Sequence, residues 1–434
     1  MAMKASAGYM VAARAPSARQ VEAAYETARQ RFAAVGVDAD RAVNAVLRIP
    51  ISVQCWQADD VRGLEALGEG LDKGGIQATG GYPGAARSGD EIRQDFDFAS
   101  RLMPGALRFN LHAMYAETGG RRADRDELAP EHFARWIDWA RSRRRALDFN
   151  PTCFAHPMVR DGLTLSSERK PVRDFWIRHC LACRRIAHRM AERLGPCVTN
   201  IWIPDGRKDS TVDRWGPRER LVASLDAILA RKMPGVVDSV ESKLFGIGCE
   251  DYTAGSHEFY LGYAATRKVA LCFDMGHFHP TESVADKLSS ALLFVGRLLI
   301  HVSRGVRWDS DHVVRSSDEV NALCDEAVRG RALGRIFWAL DYFDASINRV
   351  AAWVVGARAL RKALLRALLE PWDLHRQAEY AGDGAAKLAL LERRDEMPGG
   401  AVWDYACLKA DVPVGAAWLR EVARYGATVL NRRG

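Results

Sequence analysis

The chain has 434 residues, of which 48% are hydrophobic, so it can bury a core larger than that of one average domain. Its formal net charge of +7 is a small difference between 62 basic and 55 acidic residues, and no long basic run favours nucleic-acid binding. No stretch approaches the roughly 18 uninterrupted apolar residues of a membrane helix, and nine scattered cysteines without a secretory leader predict a cytoplasmic protein.

The N-terminal residues are small and basic and include no acidic side chain before Glu22. We interpret residues 1–20 as a flexible N-terminal tail rather than a transit peptide. The apolar spacing from Val21 to Val37 then predicts one amphipathic helix ahead of the catalytic domain.

Short apolar segments next alternate with longer segments of helical period, which indicates β/α units and a parallel sheet. The predicted strands are Ile51–Trp56, Leu107–His112, Ala146–Thr152, Cys197–Ile203, Asp238–Leu244, Lys268–Met275, Leu298–Ser303 and Ile336–Tyr342. Helices predicted between them include Glu91–Met103, Glu131–Arg144, Val172–Leu194, Arg218–Lys232, Ser283–Leu299 and Asp318–Arg329. The predicted fold class is therefore α/β, a (β/α)8 TIM barrel over residues 21–345, with a seven-stranded or open sheet as the alternative.

A helical extension is predicted beyond the eighth strand, over residues 346–434. Ser346–Leu369 has the period of a long helix that Pro371 ends, and further helical stretches lie near Glu379–Arg394 and Ala416–Leu430. A barrel does not need these helices. We expect them to make oligomer contacts in preference to capping their own barrel.

One CxxC motif, Cys180 and Cys183, lies in a segment of helical period near His179 and His188. A zinc site would need more ligands at a suitable spacing, and the sequence offers no second pair. We interpret these cysteines as helix residues that face the core.

Charged side chains gather where the second four strands are predicted to end, which is where (β/α) barrels place catalytic groups. They are Glu241, Lys243, Asp274, His277, His301, Asp309, Asp311 and Asp341. Glu241 and Lys243 are two residues apart and so lie on one face of their strand. The five carboxylates would repel one another unless cations lay among them, and two divalent ions together with Lys243 would balance their charge.

Carboxylate and imidazole without an obvious thiolate favour Mn²⁺, Mg²⁺ or Co²⁺ over a closed structural zinc site. Cys272, two residues before Asp274, is expected to fill the barrel interior.

Aromatic and polar residues follow the first four predicted strands. They are Trp56, Gln57, His112, Asn150, His156, Trp202 and Asp205. Indole faces suit the apolar faces of a sugar, while imidazole and amide groups suit its hydroxyls. The pattern predicts a pocket for a small polyol.

Several segments together resemble the L-rhamnose isomerase family of the enterobacterial type, from about Val21 to the terminal NRRG. They are SVQCWQADDV, GGIQATGGYPG, LDFNPTCF, NIWIPDGRKD, VESKLFGIG, CFDMGHFHPTE, HVSRGVRWDSDHVV and LDYFDASINRVAAWV. The resemblance implies conversion of L-rhamnose to L-rhamnulose in rhamnose catabolism, by a cytoplasmic homotetramer. It also implies two Mn²⁺ ions per chain, with Co²⁺, Mg²⁺ or Zn²⁺ as alternatives.

The resemblance implies roles for individual residues as well. Glu241, Asp274, His301 and Asp341 match the ligands of a structural, substrate-holding metal, and His277, Asp309 and Asp311 match those of a catalytic metal. The expected catalytic residues are Lys243, Asp309, Asp341 and His277. The residues expected to contact the sugar are Trp56, His112, Trp202 and Lys243.

Two cations at the reacting oxygens favour a direct 1,2-hydride shift between C1 and C2, with an enediol route through a carboxylate base as the alternative. Three other functions stay open at this point: a two-metal phosphodiester hydrolase, an isomerase of a different aldose, and a non-catalytic sugar-binding protein. A hydrolase of nucleic acid would be expected to present arginines and lysines around a long groove.

Overall fold

The computed structural model describes residues 15–65, 78–243, 251–306 and 312–433, and its main sheet has eight parallel strands. The strands are β1 (Ile51–Gln54), β2 (Leu107–His112), β3 (Ala146–Asn150), β4 (Cys197–Ile201), β5 (Val236–Glu241), β6 (Ala270–Asp274), β7 (Leu298–Val302) and β8 (Ile336–Leu340). Their order in the sheet is β3-β2-β1-β8-β7-β6-β5-β4. The predicted strands and the barrel fold class are confirmed, although most strands end one or two residues earlier than predicted.

The barrel closes between β3 and β4, at a junction that we call the seam. Among the described residues, no backbone ladder joins these two strands. Side chains of β3 instead accept hydrogen bonds from the backbone of β4: Asp148 Oδ1 from Val198 N at 2.9 Å, and Asn150 Oδ1 from Asn200 N at 3.0 Å. Arg108 Nη2 lies 2.7 Å from the Asp148 carboxylate and holds it in place.

Register explains why the strand ends meet. All eight strands are parallel, so their carboxyl ends open at one mouth of the barrel. Asp274 of β6 lies directly beside His301 of β7, and Glu241 of β5 lies beside Cys272 of β6. Because side chains alternate along a strand, Cys272 and Asp274 face the same side.

Helices surround the barrel in the order of the chain, and their numbers here refer to the described residues. Two precede β1: α1 (Ala18–Ala33) and α2 (Ala39–Arg48). Seven lie between strands: α3 (Gly89–Ser100), α4 (Ala134–Ser142), α5 (Lys170–Leu194), α6 (Trp215–Leu229), α7 (His257–Arg267), α8 (Val284–Leu292) and α9 (Asp318–Arg329). Five follow β8: α10 (Arg349–Leu368), α11 (Trp372–Tyr380), α12 (Gly384–Asp395), α13 (Gly399–Lys409) and α14 (Trp418–Thr428).

Local signals fix many of these helix ends. Asp38 caps α2 by accepting a hydrogen bond from the backbone of Arg41 at 2.9 Å, and Ser317 caps α9. Helix α5 ends at Gly195, whose φ of 87° is a conformation that favours glycine.

Some helix predictions were wrong at their boundaries. Helix α1 begins at Ala18, so the end of the predicted tail 1–20 is helical, and α2 was not predicted at all. Helix α8 ends at Leu292, because the chain must turn there to enter β7 at Leu298; the predicted helix Ser283–Leu299 was therefore too long.

The C-terminal extension packs against its own barrel. Tyr425 of α14 donates a hydrogen bond to Asp95 of α3 at 2.6 Å, and its ring stacks on Phe98 at 4.1 Å. Tyr405 of α13 stacks on Tyr25 of α1 at 3.8 Å. The extension therefore covers the outer face of α1 and α3, and its expected oligomer contacts stay a prediction.

Helix α5 places Cys180 and Cys183 fully inside the core, as the helical period predicted. No helix of the described residues combines the length and the apolar character that crossing a membrane requires.

Candidate active site

Four predicted metal ligands meet at the carboxyl ends of β5 to β8. We call this set the acid–imidazole cluster: Glu241, Asp274, His301 and Asp341. One ligand atom from each lies within 4.8 Å of the others. His301 Nδ1 is 3.0 Å from Asp341 Oδ2, 3.4 Å from Glu241 Oε1 and 3.6 Å from Asp274 Oδ2. The strand ends thus bring three acidic oxygens around one imidazole.

The chemistry of this cluster fits a divalent cation. Its side chains are almost fully buried, and carboxylates held so close together repel one another unless a positive charge lies between them. Both ring nitrogens of His301 and Oδ1 of Asp341 make no hydrogen bond within the described part of the chain. Buried polar atoms seldom lack partners, so these atoms are suited to ligating an ion.

The pKa values of the cluster point the same way. Burial opposes the charged form of His301, yet nearby Cys272, Glu241 and Asp341 raise its pKa well above the usual value. Burial raises the pKa of Asp341 to about 6, against the opposing effect of His301. The acids of the cluster therefore compete for the positive charge of His301, and a bound cation would relieve that competition.

Hydrogen bonds orient the carboxylates of Asp274 and Glu241 within the cluster. Asp274 Oδ1 accepts from Gly276 N at 2.7 Å and from Ser303 Oγ at 3.1 Å, which leaves Oδ2 toward His301. Glu241 Oε2 accepts from Asn200 Nδ2, which leaves Oε1 toward the histidines. Neither Ser303 nor Asn200 was predicted, although each lies two residues from a predicted site residue, on the same strand face.

The second predicted ligand set is represented by one residue. His277 ends a short 3₁₀ turn after β6, and its Nδ1 lies 3.3 Å from Glu241 Oε1. Its predicted companions Asp309 and Asp311 fall in 307–311, outside the described residues. His277 therefore adjoins the acid–imidazole cluster, and its role as a ligand of a second ion stays a prediction.

Aromatic side chains form the opposite side of the same cavity. We call them the aromatic wall: Trp56, His112, Phe154, Trp202 and Phe343. The Trp56 indole stacks on His112 with centroids 4.2 Å apart, and Phe154 meets Trp202 edge-on at 5.8 Å. Flat apolar surfaces facing a charged cluster suit a polyol with one carbon-rich face.

The wall also carries polar groups that a sugar hydroxyl can reach. The indole nitrogens of Trp56 and Trp202 and Nδ1 of His112 are buried without a hydrogen bond to any described residue. Burial, assisted by the charge of His301, lowers the pKa of His112 to about 3, so this imidazole is neutral at ordinary pH. The predicted contacts Trp56, His112 and Trp202 all line the cavity, while Phe154 and Phe343 were not predicted.

Lys243 is placed differently from the prediction. It follows β5 and is buried, but it is not among the residues that line the cavity. Its Nζ donates to the carbonyl of Pro204 at 2.9 Å and lies 6.0 Å from the ring centroid of Trp202. The ammonium group is thus adjacent to Trp202 of the aromatic wall.

Three other polar residues expected in the pocket do not line it. Gln57 bonds through its amide to the backbone of Asp344, and His156 lies 2.9 Å from Asp124. Asp205 accepts hydrogen bonds from Thr164 and Ser166 in a neighbouring loop. Their hydrogen-bonding capacity serves to hold loops in place.

The comparisons with known proteins cover nearly the whole chain. The model of the family described as L-rhamnose isomerase (RhaA) matches residues 19–433. An L-rhamnose isomerase from Escherichia coli O81 (strain ED1a) is 54% identical over 418 residues, covering 96% of this chain and 99% of that protein. One from Salmonella paratyphi B is 54% identical over 417 residues, covering 95% and 99%.

Solved structures give a more distant likeness. A D-psicose 3-epimerase from Clostridium cellulolyticum H10 has a TM-score of 0.39 at 13% identity, covering 65% of this chain and 93% of that one. A D-allulose 3-epimerase from Methylomonas sp. has a TM-score of 0.44 at 10% identity, covering 73% and 95%. Similarity at this level does not bear on the substrate.

Proposed function

The chain belongs to the L-rhamnose isomerase family, and we propose that it interconverts L-rhamnose and L-rhamnulose at the acid–imidazole cluster. The observation that carries this proposal is the cluster itself, four buried ligand groups that face an aromatic wall across one cavity. Such a site can hold a cation and a sugar side by side.

We propose Mn²⁺ as the ion in the cell, bound by Glu241, Asp274, His301 and Asp341. A second ion would be held by His277 together with Asp309 and Asp311. Divalent cations supply Lewis-acid stabilisation of the negative charge that builds on the two reacting oxygens of the sugar. Oxygen and imidazole ligands suit Mn²⁺, Co²⁺ or Mg²⁺, and Zn²⁺ is a further alternative.

The remaining side chains of the site have separate roles in sugar binding and proton transfer. Stacking on Trp56 and Trp202 holds the apolar face of the sugar, and neutral His112 donates or accepts one hydrogen bond without adding charge. The second ion, if held by His277, Asp309 and Asp311, would supply the proton transfer between O1 and O2 of the sugar. We propose that Lys243, whose Nζ is held by the Pro204 carbonyl, acts on O1 indirectly, as a positive charge beside Trp202.

We propose that hydrogen moves directly between C1 and C2 as a hydride. Among the described residues that line the cavity, every carboxylate belongs to the acid–imidazole cluster, so none is left over to take a proton from carbon. Conversion in D₂O is expected to leave the transferred position free of deuterium, as read by NMR. Substantial deuterium there would instead establish an enediol route.

The function is tested with chelated protein and L-rhamnose, before and after Mn²⁺ is added, with bound metal counted. We expect metal-dependent formation of L-rhamnulose at about two ions per chain. Protein that is loaded with metal and inactive on L-rhamnose would mean that another aldose is the substrate. A panel of other aldoses measured in parallel would then identify it.

We also propose a cytoplasmic homotetramer. The eight described cysteines form no disulfide, which suits a reducing compartment. On α11 and α12, Tyr380 is 81% exposed and Leu388 is 64% exposed, and such apolar side chains are candidates for contacts between subunits. Light scattering of the wild type and of the Tyr380→Ser, Leu388→Ser variant measures the mass; a tetramer that the double substitution leaves intact would place the contacts elsewhere.

A further inference from the structure

Asn200 occupies a position where the seam meets the acid–imidazole cluster. It lies in β4, is 2% exposed, and lines the cavity between Asn150 of β3 and Glu241 of β5. Its backbone N–H donates to Asn150 Oδ1 at 3.0 Å, and its side-chain Nδ2 donates to Glu241 Oε2. One residue thus joins the barrel closure to a metal-ligand candidate.

The orientation of the Asn200 amide follows from chemistry. An ionised carboxylate has only acceptor atoms, so the group of Asn200 that faces Glu241 must be the NH₂ donor. Asn200 Oδ1 then points elsewhere, and it makes no hydrogen bond within the described residues. The residue therefore uses its buried amide for one partner, the carboxylate of Glu241.

This hydrogen bond distinguishes the two oxygens of Glu241. Oε2 is occupied by Asn200, whereas Oε1 lies 3.3 Å from His277 Nδ1 and 3.4 Å from His301 Nδ1. A carboxylate without such a partner can rotate, and it can present both oxygens or neither to an ion. Partners that orient a ligand in this way usually change metal affinity by about 10- to 100-fold.

The seam in turn fixes Asn200. Asn150 Oδ1 is committed to the backbone of Asn200, so Asn150 Nδ2 is directed to the other side, where it lies 3.4 Å from His112 Nε2. His112 Nε2 is then an acceptor, and the ring proton is on Nδ1. A series of hydrogen bonds through Asn150 and Asn200 therefore connects neutral His112 of the aromatic wall with Glu241 of the cluster.

We propose that Asn200 is a positioning residue that selects Glu241 Oε1 as the oxygen presented to the metal, and that Asn150 holds it in register across the seam. The inference rests on the proposed function for the identity of the ion, but its central claim concerns metal affinity alone. The proposal also gives a role to the side-chain hydrogen bonds between β3 and β4, which share no backbone ladder among the described residues.

The test is a double-substitution cycle on metal binding. Manganese affinity of the chelated, sugar-free protein is measured by electron paramagnetic resonance for the wild type, Asn200→Ala, Glu241→Gln and the double variant. We expect Asn200→Ala to weaken Mn²⁺ binding by about 10- to 100-fold in the wild-type background and by less than about twofold beside Glu241→Gln. Equal losses in both backgrounds, or no loss in either, would overturn the proposal.

Thr199→Val is the matched control. Thr199 is the neighbouring residue on β4, is fully buried, and points to the opposite face of the strand. Its substitution is expected to leave Mn²⁺ affinity within about twofold, and thermal unfolding of all variants separates lost stability from lost affinity. A Thr199→Val loss as large as that of Asn200→Ala would show that any disturbance of β4 suffices, and would also overturn the proposal.

Activity on L-rhamnose is recorded separately. Wild type that binds Mn²⁺ but does not convert L-rhamnose contradicts the proposed substrate and leaves the cycle valid. Wild type that converts L-rhamnose while Asn200→Ala binds Mn²⁺ normally contradicts the role of Asn200 alone. Wild type that binds no Mn²⁺ contradicts both.

Discussion

The two halves of the barrel mouth differ in the chemistry of the side chains that they present. Strands β5 to β8 end in acids and an imidazole, and both ring nitrogens of His301 make no hydrogen bond within the described chain. Strands β1 to β4 contribute rings and amides that stack on one another or bond across the seam. The first half offers charged ligand atoms for an ion, and the second offers ring faces and neutral polar atoms for a sugar. We therefore expect chemistry to depend on the first half and recognition on the second.

The largest effect is expected from a substitution in the charged half. Asp274→Asn keeps the shape of the side chain but removes a negative charge from the acid–imidazole cluster. We expect kcat to fall by at least about 10³-fold, because a ligand to the charge-stabilising ion is lost. Rates and metal content are measured together.

Asp344→Asn is the control for that experiment. Asp344 lies three residues beyond Asp341 and accepts hydrogen bonds from Ser346, outside the cluster. Its substitution is expected to retain near-normal rates. An active Asp274→Asn protein with its full metal content would contradict the division between the two halves.

A smaller but still large effect is expected at His277, which adjoins the cluster through Glu241 at 3.3 Å. His277→Asn should reduce turnover by about 10²- to 10³-fold while L-rhamnose still binds, because the sugar is held by the aromatic wall. Calorimetric titration with L-rhamnose and a rate assay give the two quantities. Near-normal turnover would remove His277 and its proposed ion from the mechanism.

A substitution in the aromatic wall should affect the binding of L-rhamnose more than its turnover. Trp56→Phe shortens the surface that stacks on His112, and we expect KM for L-rhamnose to rise about 3- to 10-fold with kcat nearly unchanged. Trp139→Phe, on α4 outside the cavity, should change neither constant. If Trp56→Phe lowered kcat and left KM unchanged, the wall would belong to the chemistry.

The smallest effect concerns stability in acid. Burial lowers the pKa of His112 and of His179 to about 3, so below pH 6.5 the unfolded chain binds protons that the folded chain does not bind. The free energy of unfolding should therefore decrease as pH falls from 6.5 toward 4, by up to about 1.4 kcal/mol per pH unit for each histidine.

His179→Gln isolates one of these contributions. His179 bonds to Arg125 O and Thr152 N at 2.9 and 3.0 Å, far from the cluster, and glutamine offers the same donor and acceptor types. Urea unfolding at several pH values should show a shallower decrease for this variant. An unchanged slope would mean that His179 is protonated in the folded protein.

The sequence predicted the charged half well because parallel strands end together and alternate residues share a face. Those two rules are enough to collect Glu241, Asp274, His301 and Asp341, and they also apply to Asn200, which lies two residues before Trp202. They say less about the polar residues that follow the first four strands. Gln57, His156 and Asp205 follow strands as the pocket residues do, yet their side chains form hydrogen bonds with loop residues instead of lining the pocket. These partners are distant in sequence, so the pattern of the strands does not reveal them.

The seam was beyond prediction for a related reason. Asp148 and Asn150 look like ordinary inward residues of a strand, and only the three-dimensional arrangement shows that they replace a ladder. Helix α2 was not predicted, although its buried residues Ala39, Val43 and Val46 have helical spacing; only residues 34–38 separate it from α1. Helix boundaries depend on such turns more than on periodicity.

Backbone ladders fix the spacing of neighbouring strands, whereas side chains of different lengths can span different gaps. The seam is therefore the point where the circumference of this barrel can be adjusted by a single substitution, at Asp148 or at Asn150. Since Asn150 also lies beside His112, a change in the distance between β3 and β4 would alter the width of the cavity that a sugar must enter. A substitution in the seam therefore acts on the cavity wall as well as on the closure of the barrel.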